Sequence, residues 1–239
     1  MKFLATLLAW APSAAWALVG NGWKFQAVPI DGLDHLSFPL NLGNCSQESG
    51  YYFAQQFRFV DMPNGSYIGI QPRKPKKGKS VIHLAFSSFQ AGTTTGHANC
   101  FYGADSGPGV SCQIEIEGTY CHTYRLVVKN TGPRTWQGCV VDSVTTMSTV
   151  IGEWTLPIGA GNILGAEEGF VEYYRWNDQK AHACNSLPKT EVIFYYPTSD
   201  TPGASGGELY DIHEYGDCIG QAGYALSKIE SGYNIKVGF

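Results

Sequence analysis

The sequence of 239 residues contains few charged residues, few methionines and almost no helical period. Charged residues make up 15% of the chain, and only 3 residues are methionine. The net charge of -4 gives no reason to expect nucleic acid or an acidic membrane surface as a partner. Neither a phosphate-binding glycine loop nor an H-E-x-x-H metal motif occurs, which argues against several large enzyme classes.

A long apolar run is also missing after the N-terminus. Residues 1–17 read MKFLATLLAWAPSAAWA and have the parts of a secretory signal peptide: basic Lys2, an apolar segment, and the cleavage site Ala15-Trp16-Ala17. A membrane-spanning helix is the alternative, but the apolar run is too short and Pro12 interrupts it. We therefore expect a secreted, extracellular protein without a membrane anchor, whose residues 18–239 form a single domain.

Seven cysteines are present, and no two of them have the C-x-x-C spacing of a zinc site. They are Cys45, Cys100, Cys112, Cys121, Cys139, Cys184 and Cys218. In an oxidising compartment this number favours three disulfides and one remaining thiol. Close spacing predicts local bridges, and we expect Cys100 to pair with Cys112 and Cys121 with Cys139. No metal and no cofactor are expected.

Two kinds of surface segment stand out by their turn-forming residues. Sequons at Asn44 and Asn64 predict glycosylation in the secretory route. The densest basic segment, residues 73–79, reads RKPKKGK, and its proline and glycine mark the tip of a loop. A solvated hairpin tip is the favoured interpretation, and a site for an anion or an acidic polysaccharide is the alternative.

Glycine, proline and tyrosine are abundant, with 29, 12 and 14 residues, which favours strands and turns over helices. Residues 81–89 read VIHLAFSSF, in which Ile82, Leu84 and Phe86 share one face of a predicted strand. We interpret His83, within this apolar strand, as a core histidine. Many such strands with hairpin signals and no βαβ rhythm predict an all-β fold, an antiparallel two-sheet sandwich like a jelly roll.

Several short motifs follow one another between about residues 50 and 197. In order they read YYFAQQF, YIGIQP, HLAFSSF, GPGVSC, TYRLVV, TWQGCVVD, IGEWTLP and FVEYYRW. This series is similar to a family of secreted fungal and bacterial proteins grouped as domain of unknown function 3472, chiefly through the GIQ, IGEW and FVE pieces. The bacterial members often stand beside carbohydrate-handling domains, so the resemblance implies a sugar-linked role but assigns no catalytic residue. The cysteine-rich pattern and the C-terminal hairpin depart from the bacterial members.

One candidate site combines aromatic, acidic and basic residues of two predicted strands. Its members are Glu153, Trp154, Glu172, Tyr174, Arg175 and Trp176. Residues 170–176 (FVEYYRW) are predicted as a strand, and hairpin logic places the IGEW strand beside it. Aromatic faces stack on sugar rings and carboxylates bind their hydroxyls, and two carboxylates at suitable separation could hydrolyse a glycosidic bond. The alternative is ordinary core packing, with Glu172 and Arg175 as an ion pair at a sheet edge.

A second candidate site lies in the stretch YDIHEYGDC. Asp211, His213 and Tyr215 would share one strand face, with Glu214 on the other. His213 and Tyr215 could act as the base and acid of a polysaccharide lyase, and His213 with Asp211 could ligate a metal. A hydrogen-bonded surface strand is the alternative.

The leading functional hypothesis from the sequence is a secreted β-sandwich protein that binds, or also processes, an extracellular glycan or polysaccharide. If it is an enzyme, we expect a polysaccharide hydrolase or lyase that uses Glu172, His213 and Tyr215. Glu153, Trp154, Tyr174, Arg175 and Trp176 would then bind the ligand. The alternative is a non-enzymatic secreted factor or effector stabilised by disulfides. We expect a monomer.

Overall fold

The computed structural model describes residues 17–177, 179 and 182–239 of the chain. The predicted signal peptide lies outside these residues except for its last position, at which the first strand begins. Within the described residues, no helix is long and apolar enough to cross a membrane.

The described residues form fifteen strands and two short 3-10 helices at Tyr174–Trp176 and Cys184–Ser186. In chain order the strands are β1 (Ala17–Ala27), β2 (His35–Asn41), β3 (Tyr51–Phe57), β4 (Ser66–Lys76), β5 (Lys79–Ser88), β6 (Cys100–Ala104), β7 (Gly107–Glu117), β8 (Thr123–Gly132), β9 (Thr135–Asp142), β10 (Ser148–Thr155), β11 (Ala166–Tyr173), β12 (Thr190–Tyr195), β13 (Ser205–Glu214), β14 (Ala225–Ile229) and β15 (Gly232–Val237). One sheet has the order β13-β1-β11-β3-β4-β5-β7-β6, and the other β10-β9-β8-β2-β12-β15-β14. The predicted all-β sandwich of two antiparallel sheets is confirmed.

Strand alternation decides which side chains fill the space between the sheets. In β5, Ile82, Leu84 and Phe86 are fully buried in the core, as their spacing predicts. Trp154 from β10 in the opposite sheet stacks on Phe86 with ring centroids 4.7 Å apart. Such contacts join the inner faces of the two sheets, and each fully buried ring of this kind contributes roughly 1.5–3 kcal/mol through removal of apolar surface from water.

The same alternation leaves a second set of side chains on the outer face of the eight-stranded sheet. His83 and Ala85 of β5 point to this face, so the interpretation of His83 as a core histidine is wrong. Its sequence neighbours Ile82 and Leu84 lie in the core instead. A separate apolar cluster forms there around Tyr52, Ala85 and Phe170. This outer face carries the candidate site.

The basic segment forms the tip of the β4–β5 hairpin, where Lys76 pairs with Lys79. Lys77 and Gly78 have φ of 52° and 78°, the left-handed backbone that a tight two-residue hairpin turn requires. Lys79 forms an ion pair with Glu117 at 2.7 Å on the neighbouring strand, and both side chains are well exposed. The predicted hairpin tip is therefore confirmed.

Two disulfides are present among the described residues. Cys100 and Cys112 are directly opposite each other on β6 and β7 and form the predicted bridge. The second bridge joins Cys184 and Cys218, which the sequence did not predict. The expected bridge between Cys121 and Cys139 is wrong: both are free thiols, Cys121 exposed and Cys139 buried, and register places Cys139 opposite Val127.

Cys45 is a third free cysteine, so the described residues hold two bridges rather than the expected three. Its thiol is buried and accepts a hydrogen bond from Thr190 at 3.3 Å. Burial raises the pKa of Cys45 to about 11, which keeps the thiol protonated and unreactive at neutral pH.

The two strands expected to form one sugar-binding wall belong to different sheets. β10 is the edge strand of the seven-stranded sheet, whereas β11 lies between β1 and β3 in the other sheet. In addition, β11 ends at Tyr173, and the chain turns into a 3-10 helix at Tyr174. The prediction of a continuous strand over residues 170–176 is thus wrong in its second half.

Candidate functional site

A row of polar side chains crosses the outer face of the eight-stranded sheet. Glu172 on β11 pairs with Tyr52 on β3, and Gln71 on β4 pairs with His83 on β5. His83 in turn pairs with Glu115 on β7. Because paired residues point to the same side of a sheet, the strand register brings these five groups to one surface.

Aromatic rings shelter the Glu172 end of this row. The Tyr52 ring lies directly over Gly69, where a Cβ atom would come within 2.5 Å of it, so that position requires glycine. Tyr52 packs edge-on against Tyr67 at 5.4 Å and against Phe170 at 5.6 Å. The rings keep bulk water away from this part of the face.

Glu172 is an acidic side chain held in this sheltered environment with 4% of its surface exposed. Asn177, just after the 3-10 helix, donates a hydrogen bond from Nδ2 to Glu172 Oε1 at 2.8 Å. Burial raises the pKa of the Glu172 carboxyl, the Asn177 hydrogen bond partly offsets this, and the charge of Asp105 raises the pKa further. The result is a carboxyl group that keeps its proton to higher pH than an ordinary glutamate.

Asp105 supplies a second carboxyl group from the β6–β7 turn. Its φ of 44° and the φ of 65° at Ser106 are the left-handed conformations of a tight hairpin turn. Tyr67 donates a long hydrogen bond of 3.4 Å to Asp105 Oδ1. The residue remains exposed at its outer side, and the partial burial of its carboxyl raises the pKa of Asp105.

Two tyrosine hydroxyl groups complete the surroundings of Glu172. The Tyr52 hydroxyl is buried and has no hydrogen-bond partner within the usual distance among the described residues. Burial raises the pKa of Tyr52 far above its ordinary value, and the charges of Tyr67, Asp105 and Glu172 add to the effect. Tyr215 lies against the same cluster, and its pKa is raised by burial and by Glu172. These phenols therefore remain proton donors.

An open cavity of about 290 Å³ lies beside this cluster. Tyr67, Asp105, Phe101, Gln71, Arg73 and His83 contribute to its walls. Glu172 does not itself line the cavity, but it interacts electrostatically with Asp105 and Tyr67 of the cavity wall. Among the described residues, no group of three or more histidine, cysteine or acidic side chains could hold a metal ion.

The far end of the cavity is basic. Arg73 donates from Nη1 to the Tyr174 hydroxyl at 3.1 Å and from Nη2 to Gln71 Oε1 at 2.6 Å. Burial lowers the pKa of His83 to about 4, with the positive charge of Arg73 as a further cause. His83 is therefore neutral over most of the acidic range, and Arg73 supplies the fixed positive charge.

The structure separates Glu153 and Trp154 from Glu172. Glu153 belongs to the opposite sheet, where its Oε2 accepts hydrogen bonds from Thr131 at 3.1 Å and Gln137 at 3.2 Å. Trp154 is 1% exposed and is part of the core. The prediction that these two residues bind a ligand together with Glu172 is wrong, because long-range strand pairing places β10 and β11 in different layers.

The residues that follow Glu172 have diverging roles. Trp176 is buried and stacks flat on His182, with ring centroids 4.8 Å apart. Arg175 is exposed and forms no ion pair with Glu172 within the described part of the chain. Tyr174, which binds Arg73, is the one predicted ligand-binding residue that reaches the cavity region.

His213 and Tyr215 lie side by side at the irregular end of β13, with ring centroids 6.0 Å apart. A register shift occurs between Gly20 and Gly22 of β1, opposite Asp211, whose φ is 46°. His213 is exposed, and its Nδ1 lies 2.8 Å from the Asp211 carbonyl oxygen. Tyr215 also packs near Glu172. The structure thus places Tyr215 between the Glu172 cluster and His213, which lies on the edge strand β13.

Sequence reasoning missed Asp105, Arg73 and Asn177 as members of this site. The A-D-S-G sequence at residues 104–107 is a hairpin signal that could have placed Asp105 at a turn. Its proximity to Glu172 depends on sheet order, which no local signal gives. Arg73 belongs to the basic segment for which the sequence favoured a solvated tip, with a site for an anion or an acidic polysaccharide as the alternative.

No family model and no curated protein sequence matches the chain. Solved structures of similar fold include a scytalido-glutamic peptidase with a transition state analog inhibitor, at 11% identity, 92% coverage of this chain, 98% of that chain, and a TM-score of 0.47. Another is SCP-B, a member of the Eqolisin family of peptidases in a complex with the tripeptide Ala-Ile-His, at 11% identity, 93% and 98% coverage, and a TM-score of 0.44. A second scytalido-glutamic peptidase structure, with a peptide-based transition state analog, has 12% identity, 93% and 98% coverage, and a TM-score of 0.47.

The prediction of polysaccharide binding is wrong. The aromatic wall expected to stack on sugar rings does not exist, because Trp154 and Trp176 are 1% and 6% exposed. A ring enclosed on both faces by protein has no face left for a sugar.

Proposed function

We propose that this protein is a hydrolase of peptide bonds, with Glu172 as its catalytic carboxyl group. The observation that carries the proposal is the buried Glu172 side chain with its raised pKa, which interacts electrostatically with Asp105 and Tyr67 in the wall of an open cavity. Carboxyl groups used in acid–base catalysis are tuned in this way by burial and by neighbouring charge.

The geometry supports a direct attack of water on the substrate. Asn177 holds Glu172 Oε1, so Oε2 is the oxygen available to a water molecule. The ionised carboxylate takes a proton from that water as its oxygen bonds to the peptide carbonyl carbon. The protonated carboxyl then gives the proton to the leaving nitrogen as the C–N bond breaks. Tyr67, which lines the cavity and keeps its proton because burial raises its pKa, would donate a hydrogen bond to the carbonyl oxygen.

The cavity walls favour an extended peptide as the substrate. Gln71, Gln113 and Ser87 line it with amide and hydroxyl groups, which can both donate to and accept from a peptide main chain. Phe101, which is 49% exposed, provides an apolar contact for a substrate side chain. This combination of a few polar groups with an apolar wall is typical of ligand sites.

Hydrolysis of unfolded casein by the purified full chain between pH 3 and pH 7 tests the proposal. Glu172→Gln should lower the rate roughly 10²–10⁴-fold, because amide cannot exchange the proton. Glu168→Gln is the matched control, since Glu168 is an exposed acid on the same strand. Equal rates for wild type and Glu172→Gln, or no hydrolysis by the wild type, would contradict the proposal.

We also infer that the protein acts outside the cell. The two disulfides support an oxidising environment, in agreement with the signal peptide that the sequence predicts. Asn44 and Asn64 are exposed, as glycan attachment requires, and their glycosylation stays a prediction. The resemblance to domain of unknown function 3472 and the monomeric state also stay predictions.

A further inference from the structure

Arg73 lies at the opposite end of the cavity from Asp105 and is held in place by several hydrogen bonds. Its backbone N–H donates to the Tyr120 hydroxyl at 3.0 Å, and Tyr120 is a buried core residue. Its side chain is 18% exposed and is fixed by Gln71 and by Tyr174. A long flexible cation is thus ordered before any ligand arrives, which lowers the entropic cost of binding.

The hydrogen bonds of the guanidinium group leave two donors unused. Nη1 donates both to the Pro72 carbonyl and to the Tyr174 hydroxyl, each at 3.1 Å, whereas Nη2 donates once, to Gln71. A guanidinium group has five N–H donors, so one N–H of Nη2 and the N–H of Nε have no hydrogen bond to any described residue. Nε and Nη2 are adjacent, as needed to bind a carboxylate through two oxygens.

The positive charge here is only partly neutralised by the protein. Glu115 is the nearest carboxylate, with Oε1 at 3.7 Å from Arg73 Nε, which is beyond hydrogen-bond distance. The other oxygen of Glu115 is bound by Lys76. Two cations therefore share one carboxylate, and the Gln71 and Tyr174 partners of Arg73 are neutral.

We propose that Arg73 forms a subsite that binds a carboxylate group of the substrate, either an acidic side chain or a C-terminal carboxylate. This inference rests on the proposed peptidase function, since it assigns a substrate class to the same cavity. The carboxylate binds at the Arg73 end while the scissile bond lies toward Glu172 and Asp105. Arg73 is then a specificity-determining residue, and its charge selects acidic peptides over neutral ones.

Binding of synthetic peptides to the full chain carrying Glu172→Gln tests this without turnover. One set carries a single Glu at successive positions of an otherwise uncharged peptide with an amidated C-terminus, and a second set has Gln at each of those positions. A third peptide has Gln and a free C-terminal carboxylate. At pH 6 the carboxyl groups of the peptides are ionised. Fluorescence anisotropy of a label at one peptide terminus then reports the affinity.

We expect about tenfold tighter binding of one Glu peptide, or of the free C-terminal peptide, than of its neutral counterpart. Which of the two gains identifies the source of the carboxylate. Arg73→Gln should abolish the difference, and Lys77→Gln, an exposed cation of the same hairpin, should preserve it. Arg73→Lys keeps the charge without the paired donors and should reduce the difference in affinity between carboxylate and neutral peptides. This second variant tests the subsite even if Arg73→Gln does not fold.

Equal affinity for all peptides, including no measurable binding, would overturn the subsite. So would a preference for carboxylates that survives in folded Arg73→Gln. Because binding is read without hydrolysis, these outcomes are separate from the casein assay: loss of activity in Glu172→Gln says nothing about Arg73, and a failed subsite leaves the catalytic assignment intact.

Discussion

Replacement of Glu172 by glutamine should make the protein more stable at neutral pH, although it removes the proposed catalytic group. The wild-type carboxyl has a raised pKa in the folded state because it is 4% exposed among aromatic rings. At pH values above that pKa, folding must keep an ionised carboxylate in a poorly hydrated place. Glutamine has the same shape, can still accept from Asn177 and carries no charge.

The sign and size of this effect follow from linkage between proton binding and folding. A raised pKa in the folded state means that the contribution of Glu172 to stability is fully present at pH below its unfolded value. It is lost as pH rises through the folded pKa. Each unit of pKa difference is worth about 1.4 kcal/mol of unfolding free energy. For a chain of this size that corresponds to a melting shift of about 3 to 5 °C.

Urea unfolding of wild type and Glu172→Gln from pH 3 to pH 8 measures the difference. The free energies of unfolding of the two proteins should be nearly equal at pH 3. As pH rises, the variant should become more stable than the wild type, and the difference should become constant above the pKa of Glu172 in the folded state. Asn177→Ala removes the hydrogen bond that lowers the pKa of Glu172. In that variant, the loss of stability caused by ionisation of Glu172 should therefore occur at higher pH than in the wild type. A stability difference independent of pH would refute the assignment of Glu172 as a buried titrating carboxyl, and Glu168→Gln should show little change at any pH.

Three further results are expected. Trp154→Ala should lower the free energy of unfolding in urea by about 3–5 kcal/mol, because the ring is 1% exposed and stacks on Phe86. A loss near zero would mean that Trp154 is not a core residue. Serine at both Cys184 and Cys218 should cost about 4 kcal/mol, given their sequence separation of 34 residues, and unchanged stability would mean that the bridge is absent. His83 should titrate with a midpoint of about 4 by NMR, because burial lowers its pKa, so its contribution to stability is present above pH 6.5 and lost as pH falls through 4. A midpoint near 6.5 would contradict its partial burial.

Local patterns in the sequence determined the strands, the turns and one disulfide. Ile82, Leu84 and Phe86 enter the core because side chains alternate along any strand, whatever its neighbours are. Cys100 and Cys112 are joined because a short connection brings adjacent strands into register. These features depend on residues close in the chain, so the all-β sandwich was predictable.

The tertiary structure alone decided which strands share a sheet and which face each residue occupies. Glu153 and Glu172 are near in sequence but belong to different sheets, while Glu172 and Asp105 are distant in sequence and interact. Strand order is set by packing of the whole core and by long-range pairing, which local alternation does not encode. For the same reason the sequence placed Glu172 and Trp176 on one face of a single strand. In the structure β11 ends at Tyr173, so Glu172 lies on the outer face of the sheet among aromatic rings and Trp176 packs in the core.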